Sequence, residues 1–102
     1  MNFDIEKMKE KANEASCLLA SMSNDKRLMI LCQLVEGEKS VGQLAQVLGV
    51  RQSTVSQHLA LLRRDGVVAP RRDAQTQYYS LNGDSARAVL QTLYVEFCST
   101  SA

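Results

Sequence analysis

Arg51-Gln52-Ser53-Thr54-Val55-Ser56-Gln57-His58-Leu59-Ala60-Leu61-Leu62-Arg63-Arg64-Asp65-Gly66 is the stretch whose reading decides the fold. At the helical period, Val55, Leu59 and Leu62 fall on one side. Gln52, Ser53, Ser56 and Gln57 gather on another, with Thr54 and His58 beside them. One side is core, and the other carries amide, hydroxyl and imidazole groups with no acid before Asp65. Such groups read base edges and phosphates in a major groove. A merely solvated helix face is the plain alternative, and the flanking sequence decides between them.

Upstream, Ser40-Val41-Gly42-Gln43 has the form of a capping box, and Leu44, Val47 and Leu48 give a short helix its apolar face before Gly49. Two short helices joined by a Gly-containing turn form a helix-turn-helix whose second member reads DNA. Downstream of Gly66, Val67-Val68-Ala69-Pro70 and Gln75 to Leu81 read as two strands. Arg71-Arg72-Asp73-Ala74 reads as the polar turn between them, with its arginines projecting from the tip. A basic hairpin in that place is a wing whose arginines reach phosphates or the minor groove; solvated loop arginines are the alternative.

Residues 4 to 22 place Ile5, Met8, Ala12, Ala15, Leu19 and Met22 in a narrow apolar seam at spacings of three and four, more typical of a helix-helix contact than of a buried helix. Packing within the subunit is the competing reading. Ser23, Asn24 and Asp25 suit the start of a second helix, which carries Leu28, Ile30, Leu31, Leu34 and Val35 and stops at Gly37. This is the central core helix. The last segment, about Asp84 to Cys98, repeats the seam with Ala86, Leu90, Leu93 and Phe97. Seam helices at both ends of the chain predict a homodimer formed through the first and last helices. Two reading helices one helical turn of DNA apart then predict an inverted-repeat operator on double-stranded DNA.

The 102 residues are read as one domain, 1–102, mainly α with a small β-hairpin, in the order α-α-α-α-β-β-α. Between Arg51 and Asp73 five arginines face two aspartates, a local balance of +3 within a chain of formal charge +1. The positive charge thus surrounds the reading helix, which suits a polyanion and argues against a winged helix used only for protein contact. No apolar run approaches a membrane span and the acidic N-terminus is not a signal peptide, so a cytoplasmic protein with no membrane partner is expected. Cys17, Cys32 and Cys98 are odd in number and far apart, which is no disulfide framework. Taken alone they are either buried core thiols or reactive ones.

With helix, helix, turn, reading helix, wing and terminal helix in place, the chain resembles the ArsR/SmtB-type winged-helix repressors over nearly its full length. The matching segments are Asn24-Asp25-Lys26-Arg27-Leu28-Met29-Ile30-Leu31, Ser53 to Leu59, and Leu62-Arg63-Arg64-Asp65-Gly66-Val67-Val68. The resemblance implies a homodimer that represses transcription until an inducer binds, with Ser56, Gln57 and His58 on DNA. The DNA-binding set is then Arg51, Gln52, Ser53, Thr54, Ser56, Gln57, His58, Arg64, Arg71 and Arg72. Arg51 departs from the family, where a capping Ser is common, and offers a phosphate contact instead.

Metal sensing is the family's best-known task, and the sequence argues against it. Residues 40 to 50 contain no Cys or His, the terminal helix has Asp84 and Glu96 but no His, and the one histidine, His58, is assigned to DNA. A tight zinc site wants about four ligands, so neither a metal nor a cofactor is expected.

Cys32 and Cys98, with Arg71 to Leu81, are similar to the sulfide-responsive SqrR and BigR type. That likeness implies two redox-sensing cysteines that react with persulfides, become joined by a polysulfide or disulfide link, and weaken operator binding. Cys17 is left as a bystander. HlyU-type relatives, positive regulators that displace a silencing protein, are also similar. A thiol-dependent enzyme is the remaining rival, and it lacks a His or Arg next to either cysteine in sequence.

Overall fold

The centre of the molecule is α2 (Asp25–Val35), whose Ile30, Leu31 and Leu34 are completely buried. Asn24 caps it, accepting from the amides of Lys26 and Arg27. The computed structural model describes residues 1–98. Around α2 it places α1 (Ile5–Met22), β1 (Lys39–Ser40), α3 (Val41–Leu48), α4 (Gln52–Arg64), β2 (Val68–Asp73), β3 (Thr76–Leu81) and α5 (Asp84–Phe97). Leu44 of α3, Val55, Leu59 and Leu62 of α4, Val68 and Tyr79 of the sheet, and Ala86 and Leu90 of α5 complete one core. The helix-turn-helix and its wing are therefore clamped onto α2 by apolar packing.

The capping box is present, with Gln43 N donating to Ser40 Oγ at 3.1 Å and Ser40 N donating to Gln43 Oε1 at 2.8 Å. Gly49 ends α3 in the left-handed region at φ 67°, where a side chain is disfavoured.

The wing differs from the sequence expectation in two respects. It is a three-stranded antiparallel sheet in the order β1-β3-β2, because two residues after α2 pair Lys39 with Tyr79 and Ser40 with Tyr78. A two-residue strand carries no periodic signal. The hairpin also runs further than expected: β2 includes Arg71, Arg72 and Asp73, and the turn is Ala74-Gln75. Ala74 takes φ 56°, a conformation usually marked by Gly or Asn, so the tip has no turn residue to announce it. The arginines lie within a strand and do not project from a loop.

Helix α1 stands away from the rest. Residues 1–17 are all exposed, and only Ser21 and Met22 at its end are buried. The radius of gyration is 14.9 Å, against about 13 Å for a compact chain of this length. Ile5, Met8 and Leu19 of the seam are bare, at 60, 47 and 56% exposure. The seam of α5 divides: Ala86 and Leu90 enter the subunit's own core and Leu93 is half-buried, while Phe97 is exposed together with neighbouring Tyr94 and Val95. No helix among the described residues is long and apolar enough to cross a membrane.

Candidate nucleic-acid interface and cysteine pair

Helix α4 divides as its period predicts. Val55, Leu59 and Leu62 are wholly buried, and Arg51, Gln52, Ser53, Ser56 and Gln57 are exposed. Arg51 occupies the N-cap position without a side-chain cap, so its departure from a capping serine leaves the leading amides of α4 without a side-chain acceptor. A helix start of that kind favours a phosphate oxygen. Thr54 is half-buried. His58 is half-buried as well, and its Nδ1 is enclosed with no hydrogen-bond partner. Three residues after Val55, its ring lies on the border of the core stripe rather than fully on the open face.

Arg64 is exposed and pairs with its neighbour Asp65 at 3.3 Å. Arg71 is committed elsewhere than expected. Its Nε donates to Glu38 Oε2 at 3.0 Å and its Nη2 to Glu38 Oε1 at 2.6 Å, and its guanidinium lies 4.9 Å from the centre of the Tyr78 ring. Tyr78 is its cross-strand partner, so the side chain crosses β3 to an acid preceding β1. This two-pronged pair lowers the pKa of Glu38 and raises that of Arg71. Arg72, on the opposite face of the strand, is exposed. A difference in DNA binding follows. Arg72→Ala should lower the slope of log affinity against log salt by about one per subunit, since each phosphate contact contributes about 0.9. Arg71→Ala should leave that slope near wild type, because Glu38 already balances its charge. Equal slope losses in a titration over potassium chloride would return Arg71 to the phosphate contacts.

Cys32 and Cys98 stand on two helices of one subunit that Arg87 ties together, Cys32 within α2 and Cys98 at the end of α5. Both are free thiols, Cys32 half-buried on α2 and Cys98 exposed at the end of α5. Burial, first, and a nearby Cys98 thiolate, second, raise the Cys32 pKa. Cys32 opens on a groove of about 640 Å³ walled by Val35, Leu90, Tyr94 and Val95. One turn beyond Cys32, Arg87 Nη1 donates to the Val35 carbonyl at 2.6 Å. Arg87 thereby supplies the cation that the last turn of α2 lacks and ties α5 to it. Cys17 is exposed on α1. Among the described residues no group of three or more His, Cys, Asp or Glu is gathered for a metal.

Comparison with known proteins places this geometry. Residues 24–69 match the model of the bacterial regulatory protein arsR family. The transcriptional activator HlyU of Vibrio cholerae is 41% identical over 98 residues, 96% of this chain and 91% of that protein. The chain belongs to the ArsR family. This ArsR-family chain also superposes on the crystal structure of the transcriptional repressor BigR from Xylella fastidiosa with a TM-score of 0.89 and 42% identity, covering 96% of this chain and all of that one. A homodimeric winged helix-turn-helix DNA-binding domain from Mycobacterium bovis matches at TM-score 0.77 and 26% identity, over 93% of this chain and 86% of that one. The ArsR-family protein is thus a winged-helix transcriptional regulator and not an enzyme.

Sequence reasoning missed Glu38, Arg87 and the pairing of Asp65. A usable signal existed for the last two. Neither α1 nor α2 has a basic residue in its last turn. Asp65 sits at the negative end of the α4 dipole. Each oddity asks for a partner from elsewhere in the chain.

Proposed function

We propose that the protein is a homodimeric repressor, acting on DNA in the cytoplasm, that binds an inverted-repeat operator and releases it when reactive sulfur joins Cys32 to Cys98. The observation that carries this reading is that the core helix bearing Cys32 packs against α5, which ends at Cys98, with Arg87 tying the two helices and charge on Cys98 adding to burial in raising the Cys32 pKa.

Ser53, Ser56 and Gln57 read base edges. Arg51, the start of α4, Arg64 and Arg72 bind phosphates, with Gln52, Thr54 and half-buried His58 fitting the helix to the groove. The bare apolar residues of α1 and of the end of α5 are the dimer surface, and the homodimeric state of the M. bovis relative supports a dimer. Leu19→Glu should place a charge in that seam and yield monomers that bind the operator at least tenfold more weakly. Ultracentrifugation showing intact Leu19→Glu dimers would remove α1 from the interface.

The chemistry balances without an added oxidant. The Cys98 thiolate attacks the outer sulfur of an organic persulfide, expelling a thiolate and leaving a Cys98 persulfide. Cys32 then attacks the sulfur bonded to the Cys98 Cβ, forming the disulfide and releasing hydrosulfide. If Cys32 has itself been persulfidated, the two persulfides condense to a trisulfide and hydrogen sulfide.

Intact mass and operator affinity are measured after separate exposure to an organic persulfide, hydrogen peroxide and zinc. The persulfide should cross-link the pair and weaken binding roughly 5- to 150-fold. Release by zinc alone would sink the assignment. The likeness to HlyU favours a second reading, a positive regulator that displaces a silencing protein. Deleting the gene separates the two, since target expression rises for a repressor and falls for an activator.

A further inference from the structure

The projecting α1 and the reading helix α4 are joined by a polar knot that the sulfur chemistry does not use. Ser21, 3% exposed at the end of α1, is the one buried polar or charged residue among those described. Its Oγ lies 2.8 Å from Asp65 Oδ2 and 3.2 Å from the Cys17 carbonyl, and its one proton serves the charged acceptor better. Arg27, in the first turn of α2, donates from Nε to the Ser21 carbonyl at 2.8 Å and from Nη2 to the Ala20 carbonyl at 3.5 Å. The guanidinium thus caps α1 while adding positive charge near Asp65. The Ser21 hydrogen bond, then Arg64 and Arg27, hold the Asp65 pKa below its usual value.

Among the described residues, Ser21 to Asp65 is the one hydrogen bond joining α1 to α4. Asp65 caps the C-terminus of α4, where a carboxylate opposes the helix dipole. Its placement is therefore explained by what it holds rather than by helix stability.

We propose that Ser21 and Asp65 are positioning residues for operator recognition, fixing the angle at which each reading helix is carried on the dimer helix and so the spacing of the two reading heads. This rests on the dimeric DNA-binding reading above. Neither residue need touch DNA. Half-site spacing is a geometric property of the dimer, so a lever pinned at its base sets it.

The test uses the full chain and a set of inverted repeats whose half-site separation is stepped by single base pairs around one helical turn. Wild type should prefer one spacing. Ser21→Ala, which leaves every charge in place, should bind the preferred operator about tenfold more weakly and lose most of the discrimination between spacings, with an unchanged salt slope. Asp65→Ala should flatten the spacing profile likewise, and Asp65→Asn, which keeps an oxygen acceptor for Ser21, should restore it. Melting temperature and dimer mass are followed in parallel. A lowered melting temperature with the wild-type spacing profile would make the knot merely structural and overturn the proposal. So would a flattened profile in Asp65→Asn but not in Ser21→Ala, which would assign the effect to charge. If wild type binds none of the repeats, the DNA-binding reading itself fails and this proposal with it.

Discussion

Cys98→Ser and Cys32→Ser should each bind the operator as tightly as wild type and fail to release it on treatment with an organic persulfide, so that a response of roughly 5- to 150-fold falls to none. The two variants should fail at different steps. Burial suppresses the Cys32 thiolate, and charge on Cys98 suppresses it further, whereas Cys98 is exposed at the end of α5. Nucleophilic attack needs the thiolate and access, so on the proposed reading the exposed Cys98 reacts before the half-buried Cys32. Cys32→Ser should therefore accumulate a persulfide on Cys98, one added sulfur with no bridge. Cys98→Ser should gain sulfur slowly, at a rate that rises with pH as the Cys32 thiol ionises. Time-resolved intact mass on quenched samples reads this directly. Faster sulfur uptake by Cys98→Ser than by Cys32→Ser would reverse the order, and persulfide release from either variant would remove the pair as the sensor. The proposed bridge would act through structure, because Arg87 already ties α5 to α2 one turn past Cys32. A covalent link beside that tie moves α5 as a unit with the core helix, and the exposed part of α5 belongs to the proposed dimer surface.

Leu59→Ala should cost about 2–5 kcal/mol of folding stability, against a total of about 5–15 kcal/mol for a domain of ordinary stability. The side chain is completely buried on the core side of α4. Its loss leaves a cavity that the rest of the helix cannot fill without tilting. Gln57→Ala, two residues away on the exposed face, should change stability by no more than about 0.5 kcal/mol yet cost about 1–3 kcal/mol of discrimination at one base pair. Urea unfolding and operator titration on both variants separate the two faces of one helix. A Gln57→Ala variant that unfolds easily, or that reads every base as wild type does, would contradict the division of α4 drawn from its period.

Much of the fold was legible because the signals are local. The Asn24 cap, the Ser40-Gln43 capping box and the buried stripe of Val55, Leu59 and Leu62 involve residues at most seven apart, within reach of helical geometry. The exposed polar face of α4 was legible for the same reason. His58 was placed less well, since a residue at the border of a stripe faces in or out according to what packs beside it.

The wing was the weakest reading. Its tip turns through Ala74 without a glycine, and β1 is two residues long and owes its existence to pairing with β3. A strand of that length has no propensity to detect and forms because an edge is available. Arg71 then meets Glu38, 33 residues earlier, and stops being a free wing charge.

By itself the sequence determined the helices, their caps, the two-faced reading helix and the presence of three thiols in a chain poor in metal ligands. Tertiary structure alone decided which distant groups meet: Arg87 with the Val35 carbonyl, Arg71 with Glu38, and Ser21 with Asp65 across 44 residues. The physical reason is range. Capping and helical period act over one or two turns of chain. A hydrogen bond or a shared charge between remote segments exists only once the core around Leu31, Leu34 and Leu59 has fixed their separation.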